Sequence, residues 1–202
     1  IITFPIYITN VKINYTHFTL NSTQLVINKY DKILLKGKTG SGKTELVNAL
    51  QGLSYGANIK QIDDPRTLQH NIEYMNQHIR ETIPSNGITL RTLLENENND
   101  HLIKTLLKVV ILDDKFNNQN YDNFIQDLSG GEKMKLSLLF TLLETINKKK
   151  QILILDEPEQ GLDQLSRCQI ITNILNYLHI PVLCIYHGSS LDLLKMPFNK
   201  IW

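Results

Sequence analysis

Apolar and polar positions alternate along Phe4–Ile13, whereas apolar residues run together at Ile33–Leu35, Ile152–Leu155 and Val182–Tyr186. Alternation predicts a strand covered on one face, and an unbroken apolar run predicts a parallel strand covered on both. Thr16–Leu20 and Gln24–Ile27 predict two more short strands in a β-rich opening over residues 4–36, with Asn21-Ser22 and Asn28–Asp31 as the turns. Ile59–Ile62 reads as an edge strand and Ile72–Met75 as a core strand.

Elsewhere the spacing becomes helical. Leu46, Ala49 and Leu50 share one face of a helix. Between His78 and Asp127, Leu90, Leu93 and Leu94 share another face, and Leu102, Leu106, Val109 and Val110 a third. Asn96–Asp100 and Asn117–Asn123 are polar breaks, so the stretch 78–128 reads as an inserted helical subdomain. A helix starting near Gly131 carries Leu136, Leu139, Phe140 and Leu143 and ends in Lys148-Lys149-Lys150; a further helix runs from about Gln164 to Leu178. Strands and helices in alternation predict an α/β fold with a doubly wound core.

Composition narrows the function classes. With 202 residues the chain is one domain, 1–202, with room for an insertion. A net charge of +1 argues against bulk nucleic-acid binding. Cys168 and Cys184 have neither metal nor redox spacing and read as reduced core residues. No apolar run approaches the roughly 18 residues of a membrane span, and no signal peptide is evident. The chain starts without Met and reads as a piece of something longer, so any membrane-crossing part is expected outside it.

Chemistry concentrates in three places. Gly37-Lys38-Thr39-Gly40-Ser41-Gly42-Lys43-Thr44 fits the phosphate-loop pattern G-x-x-x-x-G-K-[ST] at every fixed position, between a strand and a helix. Its glycines let backbone N–H groups face phosphate oxygens, Lys43 reaches the β- and γ-phosphates, and the Thr44 hydroxyl holds Mg²⁺. The second place is Asp156-Glu157, at the end of a buried strand, where two carboxylates are costly unless used. Beside a phosphate loop, Asp156 suits Mg²⁺, and Glu157 suits polarising the water that attacks the γ-phosphate. The third is Leu128-Ser129-Gly130-Gly131-Glu132, a Ser-capped helix start that can also serve as a backbone anion site. A chain with one complete phosphate loop has no need of a second, so this one is expected to serve a nucleotide held by another subunit.

In combination these stretches resemble the nucleotide-binding domain of ATP-binding cassette (ABC) proteins along nearly the whole chain. Gly37–Thr44 resembles the Walker A loop, Ile152–Glu157 Walker B plus the catalytic Glu, and Leu128–Glu132 the LSGGQ signature with Glu at its last position. Gln77 resembles the Q-loop glutamine, which contacts Mg²⁺ and the attacking water, Asp163 the D-loop aspartate, and His187 the switch histidine at the γ-phosphate. The resemblance implies a P-loop NTPase (RecA-like) core with an antiparallel β subdomain and an inserted α-helical subdomain. It implies Mg²⁺-dependent ATP hydrolysis, with ATP bound between Walker A of one cassette and Ser129, Gly130 and Gly131 of a second, identical or different. Catalytic roles fall to Glu157, His187 and Gln77, and metal contacts to Thr44, Gln77 and Asp156. An aromatic in the opening is expected to stack on adenine: Tyr15 first, with Phe18 and Tyr7 competing. The implied partners are transmembrane domains on this or another chain, with the cassette on the cytoplasmic side of a membrane and no nucleic acid. The alternatives are an ABC ATPase acting on a ribosome, DNA or a protein assembly, and a silent ATP-gated module. The family's closing hairpin and helix are missing after His187, so the C-terminal end reads as truncated.

Overall fold

A computed structural model describes residues 1–15, 18–36, 42–52, 58–60, 65–75, 86–116, 121–186, 192 and 195–202. The opening forms β1 (Ile6–Tyr15) and β2 (Phe18–Ile27), paired antiparallel, with β4 (Asn58–Lys60) on the other side of β1. A second, all-parallel sheet has the order β5-β6-β7-β3-β8, with β3 at Lys32–Leu35, β5 at Ile72–Met75, β6 at Ile152–Asp156, β7 at Val182–Ile185 and β8 at Lys200–Ile201. The described helices are α1 (Lys43–Leu50), α2 (Pro65–Asn71), α3 (Leu90–Leu93), α4 (Asp100–Val109), α5 (Gly130–Asn147) and α6 (Gln164–Tyr177).

The apolar runs are explained by a core on each face of the parallel sheet. Ile33, Leu35, Ile152, Ile154, Leu183 and Ile185 join Leu46, Val47 and Leu50 of α1 and Ile6 and Ile8 of β1. Their strand neighbours Leu34, Leu153, Leu155, Val182 and Cys184 join α4, α5 and α6 on the opposite face. Successive side chains of a strand point to opposite faces, so each residue of such a run has its own core to enter.

Two expectations change, and one strand is added. Asn21 and Ser22 are not a turn: they pair with Lys12 and Val11 inside one continuous β2, because register with β1 outweighs local turn preference. On α4 and its C-cap, Leu106, Val109 and Val110 are buried as the spacing suggested, Leu102 is half-buried, and Ile103 and Leu107 widen the covered face. β8 was unforeseen. It is held beside β3 by Trp202 N–H donating to Leu34 O, and by Asn199 and Lys200 donating to buried Asp31. The described part of the stretch 78–128 is α3, α4 and a single 3₁₀ turn at Ile125–Asp127, following β5 and packed on α5 and α6.

Candidate functional site

β3 stands second from one edge of the parallel sheet, with β7 and then β6 beside it, and Leu35, Ile185 and Asp156 bring the carboxyl ends of the three strands level. Open parallel sheets bind ligands in the crevice outside the carboxyl ends of their strands. Gly42 is the N-cap of α1 at φ 89°, ψ 11°, a left-handed conformation natural to glycine, and it has no side chain with which to cap the first turn. The N–H groups there can therefore face an anionic ligand, aided by the positive end of the helix.

Lys43 opens α1, half-buried. Burial draws its ammonium below the ordinary lysine value, while Glu157 and then Asp156 pull it back up, which puts the cation and both carboxylates within electrostatic reach of one another. Asp156 ends β6 and accepts a 2.7 Å hydrogen bond on Oδ2 from the Tyr74 hydroxyl on neighbouring β5. Burial, followed by that bond, pushes the Tyr74 phenol well above its ordinary range, so it remains a donor. Glu157 follows with its N–H on Ile185 O of β7 at 2.9 Å and its Oε2 accepting from the Gln160 amide. Its φ is 52°, the left-handed region, at a cost of about 1–2 kcal/mol for a residue with a Cβ. Strain of this kind collects at functional sites.

The stretch 129–132 begins α5 with a reciprocal capping box: Ser129 Oγ accepts from Glu132 N–H at 3.1 Å, and Glu132 Oε1 accepts from Ser129 N–H at 3.0 Å. The Ser129 N–H, with help from Lys115, holds the Glu132 carboxyl below its ordinary value. Glu serves this motif as well as Gln does, which accounts for residue 132. The two glycines differ. A Cβ on Gly130 would meet nothing within 4 Å, whereas one on Gly131 would lie 3.1 Å from Gly161 O. Gly131→Ala is therefore expected to be less stable than Gly130→Ala by about 1–2 kcal/mol in urea unfolding. Equal midpoints would refute the close approach.

Residues 157–163 link these places, since Gln160 holds Glu157 and Gly161 backs Gly131. Asp163 ends the loop as the N-cap of α6, accepting from Ser166 N–H at 2.9 Å and Ser166 Oγ at 2.6 Å. Beyond β7, fully buried Asp192 accepts from Gln164 Nε2 at 2.9 Å, Arg167 Nη2 at 3.0 Å and the Tyr186 hydroxyl at 2.9 Å. These donors, Gln164 foremost, keep its carboxyl far below the ordinary range.

Of the sequence-predicted site residues, Lys43, Asp156 and Glu157 share one locality, with Gly42 at the N-cap and Thr44 exposed in the first turn. Ser129–Glu132 and Asp163 sit at two helix starts bridged by the 157–163 loop. Tyr15 is the last residue of β1, paired with Phe18. Gly37, Lys38, Thr39, Gly40, Ser41, Gln77 and His187 lie outside the described residues. Sequence reasoning missed Tyr74, Gln160 and Asp192 as partners. Tyr74 looked like strand core, and only the β5–β6 register brings it near Asp156.

The sequence matches the family described as ABC transporter over residues 20–160, well over half of the chain. It is 29% identical over 194 residues to the zinc import ATP-binding protein ZnuC of Photorhabdus laumondii, covering 92% of this chain and 70% of that protein. It is 30% identical over 194 residues to the ATP-binding protein Uup of Buchnera aphidicola, covering 91% of this chain and 29% of that protein. The chain spans less than a third of the length of some curated relatives it matches, Uup among them. Among solved structures, cbiO1 of Clostridium perfringens, part of the ABC transporter complex cbiONQ, superposes with a TM-score of 0.69 over 95% of this chain and 81% of that one, at 19% identity. That likeness establishes the fold: an α/β P-loop NTPase core with a parallel sheet.

Proposed function

We propose, from the premise that this chain belongs to the ABC transporter family of ATP-binding cassettes, that it hydrolyses ATP within a head-to-tail pair of cassettes. The observation that carries this reading is the glycine-capped start of α1, where the Lys43 ammonium lies within electrostatic reach of Glu157 and Asp156. The first-turn N–H groups and Lys43 receive the β- and γ-phosphates. Glu157 accepts the proton of the water whose oxygen attacks the γ-phosphorus, and the bond to the bridging oxygen breaks to leave ADP. The donor set fits Mg²⁺, a hard cation that takes carboxylate and hydroxyl oxygens: Thr44, Asp156 and Gln77 would hold it, and it would supply neutralisation of the phosphate charge. His187 would contact the γ-phosphate, and Tyr15 would stack on adenine.

The second cassette enters through Ser129, Gly130 and Gly131. Gly130 has open space around it, as a backbone meeting a partner's nucleotide requires. Transport is the work proposed for the pair, since ZnuC is named for zinc import and cbiO1 as part of a transporter complex. Among the described residues no helix is long and apolar enough to cross a membrane. The membrane-spanning partner therefore lies outside these residues in this reading, with the cassette on the cytoplasmic side.

The test is the size in solution of Glu157→Gln with and without Mg·ATP. A dimer that forms with nucleotide and is abolished by adding Ser129→Arg supports the sandwich. A Glu157→Gln chain that binds ATP yet stays monomeric at high concentration removes the proposal that this chain pairs with itself.

A further inference from the structure

Tyr74 and Asp156 stand on adjacent parallel strands. Tyr74 is in register with Ile154, two residues before Asp156, so period-two alternation sets Ile154 and Asp156 on the same face of β6. The Tyr74 ring packs on the core that contains Ile154 and the α1 residues Leu46 and Val47, the side of the sheet where the phosphate-loop helix lies. A phenol has few ways to move when its ring is fixed, so its hydroxyl sits at a set point, 2.7 Å from Asp156 Oδ2. A carboxylate at a strand end otherwise rotates, sharing its two oxygens among whatever is near.

We propose that Tyr74 is a positioning residue for Asp156: it occupies Oδ2 and so presents Oδ1 to the divalent cation that accompanies ATP. The proposal rests on the reading of Asp156 as a metal-holding carboxylate. A donor behind a ligating group fixes that group's orientation, and loss of such partners typically lowers metal affinity by about 10–100-fold. Tyr74 makes no contact with phosphate in this scheme, so nucleotide binding without metal does not depend on it.

Tyr74→Phe removes the hydroxyl and keeps the ring. Binding of ATP in EDTA and binding of Mn²⁺ to the protein–ATP complex, followed by the free Mn²⁺ resonance, would be compared for the parent, Tyr74→Phe and Asp156→Asn. The expected result is metal-free ATP affinity within about twofold of the parent and Mn²⁺ affinity about tenfold weaker. Phosphate release should then need more Mg²⁺ while its maximal rate changes little. If Tyr74→Phe binds Mn²⁺ as the parent does and Asp156→Asn does not, the positioning role is wrong and the reading of Asp156 stands. If Asp156→Asn also binds Mn²⁺ normally, the metal reading of Asp156 fails and takes this inference with it. If Tyr74→Phe loses metal-free ATP binding as well, the hydroxyl serves the fold, and the proposal is overturned.

Discussion

Replacing Lys43 by Met is expected to weaken Mg·ATP binding by about a hundredfold, or about 3 kcal/mol. The Lys43 ammonium answers first to its own burial and then to the charges of Glu157 and Asp156. Without it, Asp156 and Glu157 stand together with no charge from that position to offset them, and the γ-phosphate brings more negative charge to the same place. Charge-assisted hydrogen bonds of this kind are about twice as strong as neutral ones, and a first-turn N–H field alone does not replace one. Equilibrium binding of a fluorescent ATP analogue checks it. Affinity within a factor of three of the parent would mean that the nucleotide lies elsewhere.

The second large effect is on turnover alone. Glu157→Gln should bind Mg·ATP at least as well as the parent while phosphate release falls by about 10²–10⁴-fold, the range ascribed to a general base. Gln retains the size of Glu but cannot take the proton of the attacking water. Gln160, which donates to the Glu157 carboxylate, still finds an amide oxygen, so the local geometry survives the exchange. Single-turnover phosphate release separates the step from binding. If the rate falls by less than tenfold, another group accepts the proton, and the role given to Glu157 is lost.

What the sequence disclosed depended on how local each cause was. Ile152–Leu155 and Val182–Ile185 were legible as parallel strands because burial on both faces leaves an unbroken apolar run. The start of α5 was legible because Ser129 and Glu132 cap each other three residues apart. α2 was not foreseen: Leu68 is its one apolar residue, and a single buried side chain sets no period. β8 spans two residues, and its place is fixed by Asp31, far away in sequence. Tyr74 and Asp192 belong with β8: each acts through a partner that only the pairing of strands or the packing of α6 brings near.

Glu157 also sets two kinds of selection against each other. Its left-handed φ of 52° is one that glycine adopts at little cost. Most harmful substitutions lower stability, and a cell or a screen removes them along with the misfolded protein. At position 157 glycine would relieve the backbone while deleting the carboxylate, so a library sorted on thermal resistance alone would keep the inactive chain. Only a sort on turnover would retain the glutamate. A cassette that has stopped hydrolysing would therefore be expected to drift at this position, with the relieved backbone set against the acceptor that Gln160 loses.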